Sequence, residues 1–134
     1  MPDTKHIVCL IDDDNIYQYT ARVILESTGL TKHIQSFYNG NDAINFFTDP
    51  KNFVSETLPD VIFLDINMPI MDGWEFLEEY NKLQSRLPKS IVIYMVSSSV
   101  NSSDMQRSRS YKAVSDYLVK PVSRSKYQEL MESL

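Results

Sequence analysis

The sequence predicts an α/β fold, a doubly wound five-stranded parallel sheet with five helices, and three observations support this prediction. Short aliphatic runs almost free of charge, typical of strands buried on both faces, recur along the chain. Longer stretches whose apolar residues return every three or four positions follow them, as amphipathic helices require. The chain has 134 residues, the usual size of one domain, so the strand–helix pairs are expected to share one core.

The first half of the chain contains three predicted strands and the two helices between them. The apolar run 7–11 predicts the first strand, and the helix after it ends near Gly29, since glycine commonly terminates helices. Residues 33–37 alternate in polarity, as an edge strand does. A turn at 39–41 leads into the second helix, and the run 61–64 predicts the third strand.

The second half of the chain continues the same alternation. Apolar residues at helical spacing predict a helix over 74–83, and the strand predicted at 91–96 is again almost continuously apolar. A polar helix is expected within 101–111, followed by a short fifth strand at 117–119. The last helix covers 123–133. No internal repeat, charge run or linker interrupts this pattern, so we expect a single domain.

Composition and charge argue against several classes of function. The chain has 13 lysine and arginine residues against 18 aspartate and glutamate residues, a net charge of −5, whereas direct nucleic-acid binding needs a basic face. The single cysteine, Cys9, cannot form an internal disulfide, which fits a reducing compartment. No apolar run approaches the roughly 18 residues of a membrane span, and the N-terminus lacks a signal peptide's apolar stretch. We therefore expect a cytoplasmic protein without direct nucleic-acid or membrane contact.

Polar side chains follow four of the five predicted strands. Asp12 and Asp13 follow the first strand and Asp65 follows the third, while Ser97 and Lys120 follow the fourth and fifth. In a parallel sheet the carboxyl ends of the strands share one edge, and ligands bind there at the point where the strand order reverses. Three carboxylates, a hydroxyl and an ammonium group from distant segments are therefore expected to converge on one crevice.

These residue types fit one kind of chemistry. Crowded carboxylates repel one another and raise the pKa of at least one of them unless a cation lies among them. Their oxygen donors favour a hard cation, and Mg²⁺ is the expected one. The charge of Lys120 and the hydroxyl of Ser97 match an incoming phosphoryl group, and a carboxylate can capture such a group covalently.

At this point the chain resembles a known family, the receiver domain of two-component response regulators. The resemblance rests on the acid pair 12–13, the nine-residue run 65–73 (DINMPIMDG), Ser97, and the lysine–proline pair 120–121. It covers essentially the whole chain, with a receiver domain over residues 4–134 and no output domain visible. The resemblance implies a flavodoxin-like fold with strand order 2-1-3-4-5, the order found in the chemotaxis member of this family.

The resemblance also implies a phosphoacceptor and a metal site. Asp65 matches the aspartate that forms an acyl phosphate in a Mg²⁺-dependent reaction. Asp13 matches the direct magnesium ligand, and Asp12 matches a neighbour that acts mostly through water. The backbone carbonyl of Asn67 corresponds to a further ligand.

Three further positions correspond to the family's switch machinery. Ser97 matches the hydroxyl residue that bonds the phosphoryl oxygen, Lys120 matches the lysine that pairs with its charge, and Tyr117 occupies the aromatic switch position. The implied output surface is the face of the fourth helix, fifth strand and fifth helix. The implied donor is a histidine kinase or a histidine phosphotransfer protein, and the chain is expected to be a monomer or a phosphorylation-dependent dimer. Such a domain is a signalling switch that catalyses only its own phosphorylation and dephosphorylation.

Two other functional classes remain open at this stage. An aspartate-nucleophile phosphatase of haloacid-dehalogenase type shares the chemistry, but those enzymes carry Asp-x-Asp after the first strand, whereas Asp65 follows the third. A receiver-like interaction module that signals without phosphorylation is the other alternative. The chain is either a stand-alone regulator or a fragment of a larger one.

Several residues have a structural interpretation beside the functional one. Asp14 and Asp72 are expected to cap the helices that follow them, since aspartate favours that position. Tyr117 is equally consistent with a half-buried aromatic residue of the sheet. Cys9 and Trp74 are expected to pack in the core.

Overall fold

The computed structural model describes residues 4–134, which form five β-strands and five α-helices in strict alternation. The strands are β1 (His6–Ile11), β2 (Thr31–Phe37), β3 (Val61–Asp65), β4 (Val92–Ser97) and β5 (Val114–Val119). The helices are α1 (Asn15–Ser27), α2 (Gly40–Thr48), α3 (Gly73–Leu83), α4 (Ser102–Arg109) and α5 (Arg124–Glu132). Short 3₁₀ turns at Pro50–Asn52 and Gln84–Arg86 follow α2 and α3.

The strands form one parallel sheet in the order β2-β1-β3-β4-β5. This confirms the fold class and the strand order that the resemblance implies. The order reverses between β1 and β3, because the chain moves to one side of β1 for β2 and to the other side for β3. Ile11 pairs with Leu64 at the carboxyl ends of these two strands. The residues that follow β1 and β3 therefore lie at the switch point of the sheet.

The core lies in two layers, one on each face of the sheet, because alternate residues of a strand point to opposite sides. Cys9 and Ile11 of β1 pack with α2 and α3, and their layer contains the buried Trp74, Phe76 and Tyr80. Val8 and Leu10 pack in the other layer with residues of α1 and α5. The packing interpretations of Cys9 and Trp74 are confirmed.

Aspartates cap two of the helices, α1 and α3, which follow β1 and β3. Asp14 accepts hydrogen bonds from the amides of Ile16 and Tyr17 at 2.9 and 3.0 Å and caps α1. Asp72 caps α3 in a reciprocal pair with Glu75, each side chain accepting the other residue's backbone amide. Both capping predictions are confirmed, so these two carboxylates satisfy helix amides beside the site.

The fifth strand is longer than the sequence analysis predicts, and this prediction was wrong at its start. β5 begins at Val114 rather than at Tyr117, and the added residues include the exposed Ser115 and Asp116. β5 lies at the edge of the sheet, so only part of it is buried and its polar residues conceal the strand pattern. Among residues 4–134, no helix has the length and apolar character needed to cross a membrane.

Candidate functional site

Three carboxylates lie together at the carboxyl edge of the sheet. Asp12 and Asp13 follow β1, Asp65 ends β3, and each offers an oxygen atom within 4.8 Å of the others. Asp12 and Asp65 are 4% and 6% exposed, whereas Asp13 is open to solvent. The side chain of Asp12 is held by the turn, since its Oδ1 accepts the amide of Asp14 at 2.9 Å. The structure brings together the three acids that the strand-end argument selects.

Lys120 brings a positive charge to the same place from the end of β5. Its Nζ lies 2.7 Å from Oδ2 of Asp12 and 3.5 Å from Oδ1 of Asp65. Its backbone amide donates to the carbonyl of Ser97 at 2.8 Å, which ties the end of β5 to the end of β4. The ammonium group is therefore anchored beside the carboxylates by the backbone as well as by its ion pairs.

Burial and charge determine the proton affinities at the site. Burial, followed by the neighbouring Asp12 carboxylate, raises the pKa of Asp65 from 3.8 to about 6, although Lys120 opposes this shift. Burial lowers the pKa of Lys120, but its hydrogen bond to Asp12 and the charge of Asp65 outweigh this effect and raise the pKa overall. Lys120 is therefore charged at neutral pH, whereas the surroundings of Asp65 disfavour the ionised form of its carboxyl group.

The donor set of the acid cluster fits a Mg²⁺ ion. All three side chains are oxygen donors, which a hard cation selects. A single lysine faces two buried carboxylates and an exposed one, so negative charge remains in excess around Asp65. A divalent cation bound there would relieve the repulsion that raises the pKa of Asp65.

Ser97 and Tyr117 both make a hydrogen bond with the backbone of Ser99. Ser97, 1% exposed at the end of β4, accepts the amide of Ser99 at its hydroxyl oxygen at 3.0 Å. Tyr117, half-buried on β5, donates its hydroxyl to the carbonyl of Ser99 at 2.9 Å. The two residues that match the switch pair are therefore connected through Ser99, in the loop that leads from β4 to α4.

Asn67 lies in the loop after β3, two residues past Asp65, and its side chain is exposed. The amide of Gly73 donates to the carbonyl of Ile66 at 2.8 Å, so the loop closes back on itself beside Asp65. The role of the Asn67 carbonyl as a metal ligand stays a prediction.

Gly73, which the sequence shows only as the last residue of the run 65–73, has a structural role. A Cβ atom at this position would lie 2.5 Å from the carbonyl oxygen of Asp65 and 2.9 Å from the Cα of Ile66. Both are backbone atoms, so neither can move aside cheaply. Glycine is required for α3 to begin against the end of β3.

Two residues of α1 that support the site were missed by the sequence analysis. Gln18 is 2% exposed, and its Nε2 donates to the carbonyls of Leu10, Asp12 and Phe37 at 3.0–3.3 Å. It thereby fixes the ends of β1 and β2. Tyr17 places its ring against Lys120, whose Nζ lies 4.2 Å from the ring centroid. In the sequence, Tyr17 is one of the apolar residues that recur at helical spacing after the first strand, and Gln18 does not belong to that pattern.

Known proteins share this sequence pattern and fold. The family model described as response regulator receiver domain matches residues 8–132. The chain is 27% identical over 128 residues to the probable methanogenesis regulatory protein FilR2 of Methanothrix harundinacea, covering 96% of this chain and 80% of FilR2. It is 32% identical over 128 residues to the DNA-binding transcriptional regulator NtrC of Salmonella typhimurium, covering 96% of this chain but only 24% of NtrC.

The fold has a close structural counterpart. The two-component response regulator of Cytophaga hutchinsonii superimposes with a TM-score of 0.85 at 28% identity, and the match covers 96% of each chain. Receiver domains bind Mg²⁺ in an acidic pocket and interact with histidine kinases or phosphotransfer proteins. Because the family model spans nearly the whole chain and the sheet has the same order, this protein belongs to the response regulator receiver domains of two-component signalling, which are phosphorylated on an aspartate.

Proposed function

We propose that this receiver domain accepts a phosphoryl group on Asp65 from a phosphohistidine of a histidine kinase or histidine phosphotransfer protein, in a Mg²⁺-dependent reaction. The observation that carries the proposal is the position of Asp65, a buried carboxylate at the carboxyl edge of the sheet that lies beside both an acid pair and the Lys120 ammonium. We further propose that this transfer takes place in the cytoplasm, in keeping with a free and buried thiol at Cys9.

In the transfer step, an oxygen of the Asp65 carboxylate forms a bond to phosphorus while the phosphorus–nitrogen bond of the donor breaks. The imidazole nitrogen leaves with the bonding electron pair, and the product is an acyl phosphate. The carboxylate must be ionised to attack, and a pKa of about 6 leaves it largely ionised at neutral pH. Mg²⁺ bound by Asp12, Asp13 and Asp65 would neutralise the charge that accumulates on the phosphoryl oxygens.

Lys120 and Ser97 supply the remaining contacts to the transferred group. The Lys120 ammonium, 3.5 Å from Asp65, is close enough to pair with a phosphoryl group formed on that residue. The Ser97 hydroxyl accepts a bond from the Ser99 amide, which leaves its own proton available to donate to a phosphoryl oxygen. Hydrolysis then returns Asp65 to its unphosphorylated form: water attacks phosphorus, the bond between phosphorus and the Asp65 oxygen breaks, and inorganic phosphate leaves.

The proposed output lies on the face of α4, β5 and α5. If the Ser97 hydroxyl turns toward the phosphoryl group, its hydrogen bond from the Ser99 amide changes. The carbonyl of Ser99 accepts the hydroxyl of Tyr117, so Tyr117 is affected by the same movement. The helix that follows, α4, buries only Ser108 among its residues, so little core packing opposes its movement. A local charge change at Asp65 can therefore bias the position of α4 and Tyr117.

Incubation with acetyl phosphate and Mg²⁺, followed by intact-mass measurement, tests the proposal. The wild-type protein should gain one phosphoryl group, and replacement of Mg²⁺ by a chelator should abolish the gain. The matched control is Asp65→Asn, which keeps the shape of the side chain but removes the nucleophile. Equal labelling of wild type and Asp65→Asn would defeat the assignment of Asp65. Steady turnover of a small phosphate ester would favour the phosphatase alternative.

A further inference from the structure

Tyr17, in the first turn of α1, lies against the cation of the site. The Lys120 Nζ is 4.2 Å from the centroid of its ring, well within the roughly 6 Å over which an aromatic face attracts an ammonium group. We propose that Tyr17 is a positioning residue, whose ring holds the Lys120 ammonium beside Asp65 for phosphoryl transfer. This inference rests on the proposed function and deepens it by adding a residue that acts through Lys120.

Lys120 needs a partner besides the carboxylates because those carboxylates form the candidate metal site. Its Nζ lies closer to Asp12, at 2.7 Å, than to Asp65, at 3.5 Å. A divalent cation at the acid cluster would compete for the oxygens of the same carboxylates and would weaken both ion pairs. The attraction of the Tyr17 ring does not depend on those oxygens, so it persists when the cation is bound.

The ring of Tyr17 is itself held in place from two sides. Its backbone amide donates to the capping carboxylate of Asp14 at 3.0 Å, and its hydroxyl lies 3.3 Å from the hydroxyl of Tyr127 on α5. Tyr127 is 1% exposed and packs edge-on against Phe63 of β3, with ring centroids 5.2 Å apart. Tyr17 also packs against the apolar core layer that contains Tyr127, so the ring that faces Lys120 is expected to stay in place when the hydroxyl contact alone is lost.

A fixed ring matters because lysine is a flexible side chain. Its four-carbon chain has many rotamers, and an ammonium group that must first be ordered contributes less to the transition state. With Tyr17 in place, the ammonium is already near Asp65 before the donor arrives. Loss of the ring should lower the rate of phosphoryl transfer by about 3- to 10-fold, the range expected from an exposed to a partly desolvated cation–π contact.

Three variants separate the ring from other properties of the helix. Tyr17→Leu removes the aromatic face, and Tyr17→Phe keeps the face but loses the hydroxyl bond to Tyr127. Tyr19→Leu is the matched control. Tyr19 lies on the same helix and is 70% exposed, so this substitution makes the same chemical change away from the site. With acetyl phosphate and saturating Mg²⁺, we expect Tyr17→Leu to be slowed by about 3- to 10-fold and the other two to stay within about twofold of wild type.

The position of the ammonium can be read without any phosphorylation. The face of an aromatic ring shifts nearby proton resonances upfield, so the ε-methylene protons of Lys120 should show this shift in the metal-free wild-type protein. The shift should persist in Tyr17→Phe and Tyr19→Leu and disappear in Tyr17→Leu. Assignment of the resonance comes from its absence in Lys120→Arg.

The phosphorylation rate and the Lys120 proton resonance test the role of Tyr17 independently, so one of them remains usable if a variant folds poorly. Lys120 protons without an upfield shift in wild type would overturn it, as would a Tyr17→Leu variant that is phosphorylated at the wild-type rate. A Tyr17→Phe variant as slow as Tyr17→Leu would also overturn it, by assigning the effect to the hydroxyl. If wild type gains no phosphoryl group, the proposed function fails, whereas the resonance of Lys120 still reports whether the ring holds the ammonium.

Discussion

Asp65 combines two properties that oppose each other in a folded protein. Its side chain is buried, and the Asp12 carboxylate lies beside it, while its cationic neighbour Lys120 lies closer to Asp12. The pKa of Asp65 is consequently raised to about 6, so ionisation at neutral pH lowers the stability of the metal-free fold. The carboxylate that we propose to be phosphorylated therefore destabilises the metal-free fold when it is ionised.

This conflict gives a prediction for stability as a function of pH. Below pH 3.8, the pKa of the Asp65 carboxyl in the unfolded chain, Asp65 is protonated in both the folded and the unfolded protein. As the pH rises from there through about 6, the free energy of unfolding falls, because the carboxyl ionises more readily in the unfolded chain. Without metal, Asp65→Asn should therefore stabilise the protein at neutral pH by on the order of 2 kcal/mol. The gain should vanish near pH 4. Urea unfolding in the presence of a chelator measures it.

The control for this prediction is Asp116→Asn, because Asp116 is an exposed acid on β5, away from the site. It should change stability little at either pH. Added Mg²⁺ should raise the stability of the wild type and reduce the advantage of Asp65→Asn, because the cation relieves the repulsion. If Asp65→Asn raised the free energy of unfolding equally at pH 4 and pH 7, burial of the Asp65 charge would not be the cause of the stabilisation.

At the scale of elements, the position of α3 depends on how closely it approaches β3. Gly73 begins the helix against the backbone of Asp65 and Ile66, with no room for a side chain. The helix then buries Trp74, Phe76 and Leu77 against the sheet. Asp65, the proposed phosphoacceptor, and the start of α3 are therefore parts of one packed unit, and we expect a change in one to displace the other.

Gly73→Ala tests this coupling. The added methyl group forces backbone atoms apart, and we expect a loss of about 1–3 kcal/mol in the free energy of unfolding together with slower phosphorylation of Asp65. The matched control is Gly29→Ala, whose Cβ meets nothing within 4 Å but whose φ of +73° is unfavourable for alanine.

Gly29→Ala should lose stability, by about 1 kcal/mol, without any change in the phosphorylation rate of the folded protein. Denaturant unfolding and acetyl phosphate labelling under native conditions measure the two quantities. If both variants lose stability equally and neither alters the labelling rate, α3 does not position Asp65.

Sequence patterns predicted all five strands and all five helices, but they placed the start of an exposed strand less accurately than those of the buried ones. The apolar strands β1, β3 and β4 were visible because both of their faces are covered. β5 was predicted too short because its first half exposes polar residues at the sheet edge. The contact of Tyr17 with Lys120 was not predictable, since it joins side chains more than 100 residues apart whose distance only the packing of α1 against the sheet determines.

On the scale of the whole molecule, the topology assembles the site. Parallel strands place all their carboxyl ends at one edge, and the order β2-β1-β3-β4-β5 puts the ends of β1 and β3 side by side. The acid pair at 12–13 then meets Asp65, which is distant in sequence, and Lys120 reaches Asp12 and Asp65 from the edge strand β5. The shared edge followed from the predicted parallel strands, whereas the strand order was implied by the resemblance to receiver domains.

The most direct test of this account is to locate the phosphoryl group on the chain. The protein is incubated with acetyl phosphate and Mg²⁺, the acyl phosphate is reduced with borohydride to leave homoserine at the modified aspartate, and peptides are sequenced by mass spectrometry. We predict that homoserine replaces Asp65 alone and that a chelator prevents its formation. Homoserine at Asp12 or Asp13, or labelling that does not require the metal, would contradict the account.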